Sequence, residues 1–228
     1  MELKDSVVLV TGANGGLGRE FVGQALQRGA AKVYAAARKP QDWDDERVVP
    51  LQLDVTDPSS IRAAAAAAGD VDVLVNNAGI TGATSLLSSP IGEIREVFET
   101  NVFGPLEVVR EFAPTLAARG GGAVVDIHSV LSWLAFPGAY SPSKAAFWGI
   151  TNSLRLELAD QGTQVLGAHL GFTDTPMIAH LDVEKSAPDD IVRRILDALE
   201  TGASEALADE LTAQVRAGLS NATTGTLS

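Results

Sequence analysis

The sequence predicts a single α/β domain built on a doubly wound parallel sheet. Short runs rich in β-branched residues alternate with stretches of helical periodicity along the chain. No linker or internal repeat divides the 228 residues, and a hydrophobic content of 46% is sufficient for one core at this length. Because consecutive parallel strands are joined by right-handed helical crossovers, this alternation places helices on both faces of the sheet.

Six strands are expected, with helices between them. The strand candidates are residues 7–10, 32–37, 49–53, 71–75, 123–127 and 165–170. The helix candidates are residues 20–28, 58–68, 91–119, 139–160 and 188–200. A short strand over 205–208 and a helix over 209–218 are predicted to follow. A frayed tail is expected over 219–228.

Charge and residue content exclude several classes of function. The chain holds 29 acidic and 17 basic residues, a net charge of -12, whereas nucleic acids and anionic membranes recruit basic surfaces. The absence of cysteine rules out disulfides, thiolate nucleophiles and cysteine-ligated zinc. His128, His169 and His180 lack the close pairing of a metal-binding helix. We therefore expect no nucleic-acid partner and no metal.

The hydropathy pattern gives no sign of a membrane or secretory segment. No window approaches the roughly 18 apolar residues of a membrane span. The charged N-terminus, with Glu2, Lys4 and Asp5, precedes an apolar run too short for a signal peptide. The sequence predicts a cytoplasmic protein without a membrane partner.

A glycine-rich turn, TGANGGLG at residues 11–18, lies between the first strand and the first helix. Such a turn lets backbone N–H groups approach a pyrophosphate, whose charge the helix dipole also favours. The spacing is TGxxxGxG rather than GxGxxG, and a tight turn without a ligand is the alternative interpretation. The position after the first strand of a βαβ unit favours a dinucleotide.

The end of the second strand indicates which dinucleotide would bind. An acidic residue there accepts the ribose 2′-hydroxyl of NAD, but this sequence has Ala37 followed by Arg38 and Lys39. An arginine makes a forked contact to a 2′-phosphate, and a lysine adds a point charge. A solvated charged loop is the alternative. The pattern favours NADP(H) over NAD.

Tyr140 and Lys144 stand four residues apart, on one face of a predicted helix. A phenol with a pKa near 10 is a poor acid or base at neutral pH, and a nearby ammonium favours its ionised form. The pair can act as a proton-transfer device, although a pair of exposed surface residues would show the same spacing.

Taken together, TGANGGLG, NNAG at residues 76–79, Asn101, Ser129 and YSPSK at residues 140–144 resemble the short-chain dehydrogenase/reductase family. Their order and separation fit the family over about residues 5–180. The resemblance implies a Rossmann fold and an oxidoreductase that uses NADP(H).

The resemblance also implies a catalytic role for four residues. Tyr140 would give its proton to the substrate carbonyl oxygen, to which Ser129 would also hydrogen-bond. Lys144 would hold the nicotinamide ribose and lower the pKa of the tyrosine. Asn101 would bind a water that connects Lys144 to solvent. This is acid–base catalysis in which the cofactor carries the hydride.

Contacts to the dinucleotide are implied in six segments. Asp54 could alternatively form a turn or cap a helix, and Asn76 could simply brace the sheet. Leu170 replaces the proline that the family has before Gly171. The implied contacts are Gly12, Asn14, Gly16, Leu17 and Gly18; Arg38 and Lys39; Asp54 and Val55; Asn77, Ala78 and Gly79; Tyr140 and Lys144; and Gly171, Phe172, Thr173 and Thr175.

Two departures from the family pattern concern the substrate. The segment from Ser129 to Tyr140 is short, so Ser132 is an alternative to Ser129, and His128 is interpreted as a structural residue. The substrate loop at 176–187 is also short, which predicts an open, apolar pocket. Its candidate walls, for which core packing is the alternative, are Trp133, Leu134, Phe136, Met177, Ile178 and Leu181.

The sequence thus predicts an NADP(H)-dependent carbonyl reductase or alcohol dehydrogenase that acts on an apolar or bulky small molecule. We also expect a homo-oligomer, a dimer or tetramer assembled through the helices at 91–119 and 139–160. The alternatives are a catalytically silent NADP-binding regulator or scaffold on the same fold, and an isomerase or dehydratase that uses the same tyrosine.

Overall fold

The computed structural model describes residues 1–219 and confirms the doubly wound α/β architecture. Over these residues seven parallel strands form one sheet in the order β3-β2-β1-β4-β5-β6-β7. The strands are β1 (Val7–Thr11), β2 (Lys32–Ala37), β3 (Val48–Gln52), β4 (Val73–Asn76), β5 (Ala123–Ile127), β6 (Gln164–His169) and β7 (Glu205–Leu207). The helices are α1 (Gly16–Gln27), α2 (Pro58–Ala67), α3 (Ile91–Phe98), α4 (Gly104–Ala118), α5 (Tyr140–Glu157), α6 (Pro188–Glu200) and α7 (Glu210–Leu219).

Each face of the sheet buries its own hydrophobic core. On one face Val8 and Val10 of β1 pack with Phe21 of α1 and Ile191 of α6. On the other face Leu9 points the opposite way, into a core that holds the following fully buried side chains: Ile61, Leu74, Phe112 and Leu116. Because side chains alternate along a strand, a continuous apolar run such as β1 requires cover on both faces.

Two helix boundaries differ from the prediction. Helix α1 begins at Gly16 rather than at residue 20, because the last glycines of the TGANGGLG turn already form its first turn. The helix predicted over 91–119 is interrupted by a π-helical turn, Glu99–Phe103, between α3 and α4. The apolar pattern continues across this interruption, so the pattern could not show it. The remainder of the predicted tail, after Leu219, lies outside the described residues.

The strand order places a cleft beside the end of β1. The chain leaves β1 toward β2 on one side, and β4 lies on the other side. Ligands of open α/β sheets bind at such a switch point, outside the carboxyl ends of the strands. No helix in the described part of the chain is long and apolar enough to cross a membrane.

Candidate active site

Two adjoining cavities occupy the cleft at the carboxyl edge of the sheet. The larger, of about 1120 Å³, lies over the ends of β1, β2 and β3. The smaller, of about 570 Å³, lies over the ends of β4, β5 and β6. Both cavities are lined by Gly12, Arg38, Ala78 and Gly79. Together they form one elongated site that crosses the switch point.

The glycine turn presents an uncapped helix end to the smaller cavity. Gly12 and Gly16 have φ values of +67° and +53°, which favour glycine. Helix α1 starts after Gly15, has no side-chain cap and carries no acidic residue in its first turn. Its first N–H groups and its dipole are therefore available to an anion. Gly15, Gly16 and Leu17 line this cavity, so these residues fit a pyrophosphate.

Gly18 lies behind the turn and lines neither cavity. A side-chain carbon at this position would collide with the carbonyl oxygen of Gly12 and lie 2.8 Å from Nδ2 of Asn77. The absence of a side chain at Gly18 therefore lets the turn pack against the end of β4, instead of opening the turn to a ligand.

Thr11 is a site residue that the sequence analysis did not identify. Its hydroxyl oxygen accepts hydrogen bonds from the backbone N–H groups of Asn77 and Ala78, both at 3.0 Å. Asn77 Nδ2 in turn donates to the Thr11 carbonyl oxygen at 2.9 Å. These bonds join the glycine turn to the turn after β4. A hydroxyl residue at the end of β1 was the only signal in the sequence.

Asn76 braces the sheet, as the alternative interpretation of that residue proposed. Its Nδ2 donates to Oδ1 of Asp126 on β5 at 2.9 Å. Asp126 is fully buried, and its Oδ2 accepts from the hydroxyl of Thr151 on α5 at 2.7 Å. The carboxylate thereby connects β4, β5 and α5 directly below the cavity.

Arg38 and Lys39 stand at the end of β2 with their charges free. Arg38 lines both cavities and Lys39 lines the larger one. Neither residue forms an ion pair within residues 1–219. Asn14 donates from Nδ2 to the Lys39 carbonyl oxygen at 2.8 Å, which ties this loop to the glycine turn. Two unpaired cations beside a glycine turn form a suitable place for a phosphate.

Asp54 and Val55 line the larger cavity, on the side away from the glycine turn. Oδ1 of Asp54 also accepts from the backbone N–H and hydroxyl of Thr56, at 2.9 and 2.8 Å. The alternative of helix capping falls to a different residue, since Asp57 caps α2 through the backbone N–H of Ser59. Asp54 thus forms a turn and still borders the site.

Three of the four residues with a predicted catalytic role line the smaller cavity together. Tyr140 opens α5, Lys144 follows one helical turn later, and Ser129 is the second residue after β5. Ser132, the alternative to Ser129, is buried and does not line the cavity. The Ser141 hydroxyl donates to the Leu134 carbonyl oxygen at 2.6 Å, which holds the segment after Ser129 against the start of α5.

Burial moves the two titratable groups in opposite directions. It raises the pKa of Tyr140 to about 12, although a hydrogen bond with Ser129 opposes the rise. It lowers the pKa of Lys144 to about 8, although the nearby charge of Asp126 opposes the fall. Both shifts follow from the loss of water around a charged form.

The expectation that Lys144 lowers the pKa of Tyr140 is therefore corrected for the ligand-free protein. Lys144 Nζ lies 5.7 Å from the centroid of the tyrosine ring and donates to the Ile127 carbonyl oxygen at 2.8 Å. The ammonium is directed to the backbone of β5, so burial dominates at the phenol.

Asn101 lies in the π-helical turn and is buried. Its Oδ1 accepts from the Ile80 N–H at 2.9 Å, while its Nδ2 donates to the Ile80 carbonyl oxygen at 2.8 Å. Nδ2 also donates to the Ser143 hydroxyl at 3.1 Å. Asn101 thus holds the segment after Gly79 against α5, and its role toward a water remains a prediction.

The segment after β6 forms the far wall of the smaller cavity. Leu170, Gly171, Thr173 and Thr175 line it, whereas Phe172 does not and is 38% exposed. Thr173 is buried, where it bridges to Ser186. Of the segment's predicted contacts, Phe172 alone is directed away from the cavity.

Fewer of the candidate apolar residues line the smaller cavity than the sequence predicted. Met177 and Ile178 line it, but the other four candidate residues do not. Trp133 stacks on His169 with ring centroids 4.0 Å apart, so core packing accounts for it. His128 is likewise buried, 4.8 Å from the ring of Phe147, in agreement with a structural role. The other non-lining candidates are Leu134, Phe136 and Leu181.

No group of three or more histidine, cysteine or acidic side chains that could hold a metal is found in the described part of the chain.

Comparison with known proteins agrees with this geometry. The family model for short chain dehydrogenases matches residues 6–186. Short-chain dehydrogenase PC-15 of Penicillium crustosum is 39% identical over 183 residues, which is 74% of this chain and 66% of that protein. The 2-(R)-hydroxypropyl-CoM dehydrogenase of Xanthobacter autotrophicus is 33% identical over 207 residues, or 83% of each chain.

A solved structure matches nearly the whole chain. The short chain dehydrogenase from Burkholderia cenocepacia J2315, in complex with NADP, superimposes with a TM-score of 0.91 at 35% identity. The match covers 96% of this chain and 95% of that chain. The protein belongs to the short-chain dehydrogenase/reductase family and is an oxidoreductase of the Rossmann fold.

Proposed function

We propose that the protein interconverts a ketone or aldehyde and an alcohol, with NADP(H) as the cofactor. The observation that carries this proposal is that Ser129, Tyr140 and Lys144 line the cavity into which the uncapped start of α1 opens. The helix end that can bind an anion and the pair of residues that can transfer a proton thus face the same cavity.

The described residues fit an extended dinucleotide. The start of α1 would hold the pyrophosphate, Asp54 and Val55 would border the adenine, and the segment from Gly171 to Thr175 would border the nicotinamide. When bound, the cofactor supplies or accepts the hydride. Arg38 and Lys39 would contact a 2′-phosphate, and the NADP complex of the Burkholderia relative supports that choice.

Tyr140 serves as the acid of the reduction. With a pKa of about 12 its phenol is protonated at neutral pH and has a proton to give to an alkoxide that forms in the cavity. The Ser129 hydroxyl oxygen accepts from the Leu131 N–H at 3.1 Å, and in the ligand-free protein the hydroxyl also bonds with Tyr140. The two hydroxyls are therefore close enough to hydrogen-bond to the same substrate oxygen. Both groups act where negative charge develops.

Lys144 supplies a fixed positive charge beside the reacting oxygen. With a pKa of about 8 it is mainly protonated at neutral pH. Its bond to the Ile127 carbonyl oxygen fixes the ammonium near the tyrosine before any ligand arrives. A prepositioned charge costs no reorganisation during the reaction.

The cavity favours an apolar substrate. The apolar part of its wall includes Leu170, Met177 and Ile178. Met177 is 41% exposed, so this wall borders the solvent at the mouth of the cavity. We expect a small ketone or aldehyde with an apolar or bulky substituent.

The test is to measure the oxidation of NADPH by ultraviolet absorbance with a panel of aliphatic and aryl ketones. The proposal expects turnover with NADPH. A silent regulator would bind NADPH without oxidising it, and an isomerase or dehydratase would convert its substrate without net consumption of NADPH. Either result would contradict the proposal.

Cofactor choice is tested at Arg38. Arg38→Asp removes the forked cation and introduces a charge that repels a 2′-phosphate, so it should weaken NADPH binding and spare NADH. Arg62→Asp, an equal change of charge at an exposed position on α2, is the matched control and should change neither. Equal losses for NADPH and NADH in the Arg38 variant would show that Arg38 only stabilises the fold.

A further inference from the structure

Helix α7 is fixed to the wall of the smaller cavity by a single carboxylate. Oδ1 of Asp209, the residue before α7, accepts from the Thr212 backbone N–H and hydroxyl, each at 2.8 Å. This is the geometry of a helix N-cap. The other oxygen, Oδ2, accepts from the Gly171 N–H at 2.5 Å. Asp209 therefore joins the start of α7 to the turn after β6.

The first turn of α7 also packs directly on Gly171. A side-chain carbon on Gly171 would lie 3.1 Å from Cδ2 of Leu211 and 3.3 Å from both carboxylate oxygens of Asp209. These distances are tighter than normal packing, so a side chain at this position would require the side chains of Leu211 and Asp209 to shift by a few tenths of an ångström. Leu170 stands before this glycine where the family has proline. The carboxylate thus constrains a turn that has lost the constraint of proline.

A second contact fixes the other end of α7 near the catalytic serine. Arg216 pairs with Glu205 at 2.9 Å, and its guanidinium lies 5.3 Å from the centroid of the Trp133 ring. Trp133 stacks on His169, whose Nδ1 lies 3.3 Å from the Ser129 carbonyl oxygen. Helix α7 is therefore linked to the Gly171 wall directly and to Ser129 through Trp133 and His169, although no residue of α7 lines the cavity.

We propose that Asp209 is a positioning residue for the oxidoreductase reaction. Through its bond to the Gly171 N–H it holds the turn from Leu170 to Thr175 in the shape that receives the nicotinamide end of the dinucleotide. Helix α7 is the rigid brace from which it does so. This inference rests on the proposed function, because it takes that turn as the nicotinamide wall.

Asp209→Asn tests the proposal with little change to α7. Asparagine caps helices as well as aspartate does, and its oxygen can still accept from Thr212. Its amide group, however, would face the Gly171 N–H, donor against donor. We expect NADPH to bind about tenfold more weakly, near the low end of the cost of losing a hydrogen bond to a charged group. Binding of 2′-phospho-ADP-ribose, which lacks the nicotinamide, should not change.

Hydrogen exchange in the ligand-free protein gives a readout that needs no cofactor. The Gly171 amide should exchange faster in Asp209→Asn than in the wild type, because its acceptor is gone. Thr212→Val is the matched control: it removes the hydroxyl bond to Oδ1 and weakens the cap but leaves the Gly171 bond in place. It should change neither the exchange at Gly171 nor the binding of NADPH.

The outcomes separate this inference from the proposed function. Equal weakening of NADPH and of the nicotinamide-free fragment, or equal effects of the two variants, would show that Asp209 only stabilises α7 and would overturn the inference. If the wild type binds neither ligand, the proposed function fails. Exchange at Gly171 would then still decide whether Asp209 orders the turn.

Discussion

Burial shifts the pKa values of Tyr140 and Lys144 in opposite directions. Tyr140 keeps its proton because its anion is poorly solvated in the site. Lys144 loses its proton more easily because its cation is poorly solvated there as well. Asp126, at the end of β5, has a pKa raised to about 6 by burial and is therefore mainly ionised at neutral pH. Its negative charge keeps Lys144 from losing its proton still more easily.

These shifts predict the pH dependence of carbonyl reduction. Lys144 has a folded pKa of about 8, so its ammonium is present below that pH and is lost above it. The rate should be steady around neutral pH and fall above about pH 8. Asp126→Asn removes the opposing charge and should move this fall to lower pH by about one unit. The measurement is kcat against pH for both proteins.

Thr151→Val is the control for that shift. It removes the hydroxyl bond to Oδ2 of Asp126 but keeps the carboxylate charge. Its pH profile should match that of the wild type. If both variants moved the profile equally, the packing below the cavity rather than the charge of Asp126 would set the pKa of Lys144.

At the scale of residues, the sequence predicted which side chains line the site better than it predicted the burial and packing around them. Tyr140, Lys144 and Ser129 were selected by spacing and motif, and the structure brings them to one cavity. The direction of the tyrosine pKa was wrong because burial depends on the whole fold. Trp133 was expected at the pocket but stacks on His169, a pairing between distant segments that no local pattern reveals.

At the scale of elements, the π-helical turn between α3 and α4 is the main departure from the sequence pattern. It places Asn101 so that both backbone groups of Ile80 bond to one side chain. π-Helical turns inside α-helices occur frequently at functional sites, and they interrupt the regular hydrogen bonding of the helix. The amide of Asn101 forms its bonds to Ile80 at this interruption.

Asn101→Ala should therefore lower stability as well as activity. It leaves the part-buried N–H and carbonyl of Ile80 without this partner, at a cost of up to about 1–3 kcal/mol per unsatisfied group. Chemical denaturation measures the change in the free energy of unfolding. Thr100→Ala in the same turn is the control and should cost much less. Similar losses of stability in both variants would show that the effect comes from the backbone of the turn and not from the amide of Asn101.

Helix α1 offers a matched pair of glycines for a second stability test. Gly18→Ala should destabilise the protein by about 1–3 kcal/mol, because the new carbon collides with the Gly12 carbonyl oxygen. Gly23→Ala meets nothing within 4 Å and should stabilise the same helix by up to about 1 kcal/mol. Thermal unfolding distinguishes the two. A neutral Gly18→Ala would contradict the close approach of the turn to α1.

The elements themselves followed from periodicity and turn residues. The parallel sheet and the position of α6 were predictable because alternation of strands and helices leaves few topologies. The start of α1 within the glycine turn was not predictable, because glycine ordinarily marks a break in a helix. The π-helical turn was not predictable either, since one inserted residue changes hydrogen bonding without changing the apolar pattern.

At the scale of the whole molecule, charge is unevenly distributed along the chain. The first 40 residues hold six basic and three acidic residues, within a protein whose net charge is -12. That stretch supplies the glycine turn, Arg38 and Lys39. An acidic protein can therefore offer a local cationic site to a phosphate-rich ligand, while its overall field repels polyanions.

We also propose a homo-oligomer formed through the helices around residues 91–119 and 139–160. Leu156 on α5 is 79% exposed and Phe103 before α4 is 47% exposed, so each offers apolar surface to such an interface. Light scattering coupled to size exclusion should give a dimer or tetramer. Leu156→Glu should reduce that mass, whereas Leu211→Glu on α7 should not. A monomeric wild type would contradict the proposal.

The central claim is that one cavity joins NADPH binding to proton transfer by Tyr140. It is tested most directly by comparing the wild type with Tyr140→Phe, measuring NADPH binding and ketone-dependent NADPH oxidation in the same preparations. The claim predicts that the variant binds NADPH normally and loses turnover by about a hundredfold to ten-thousandfold, the contribution of a positioned acid. A Tyr140→Phe protein that oxidises NADPH at the wild-type rate would contradict it.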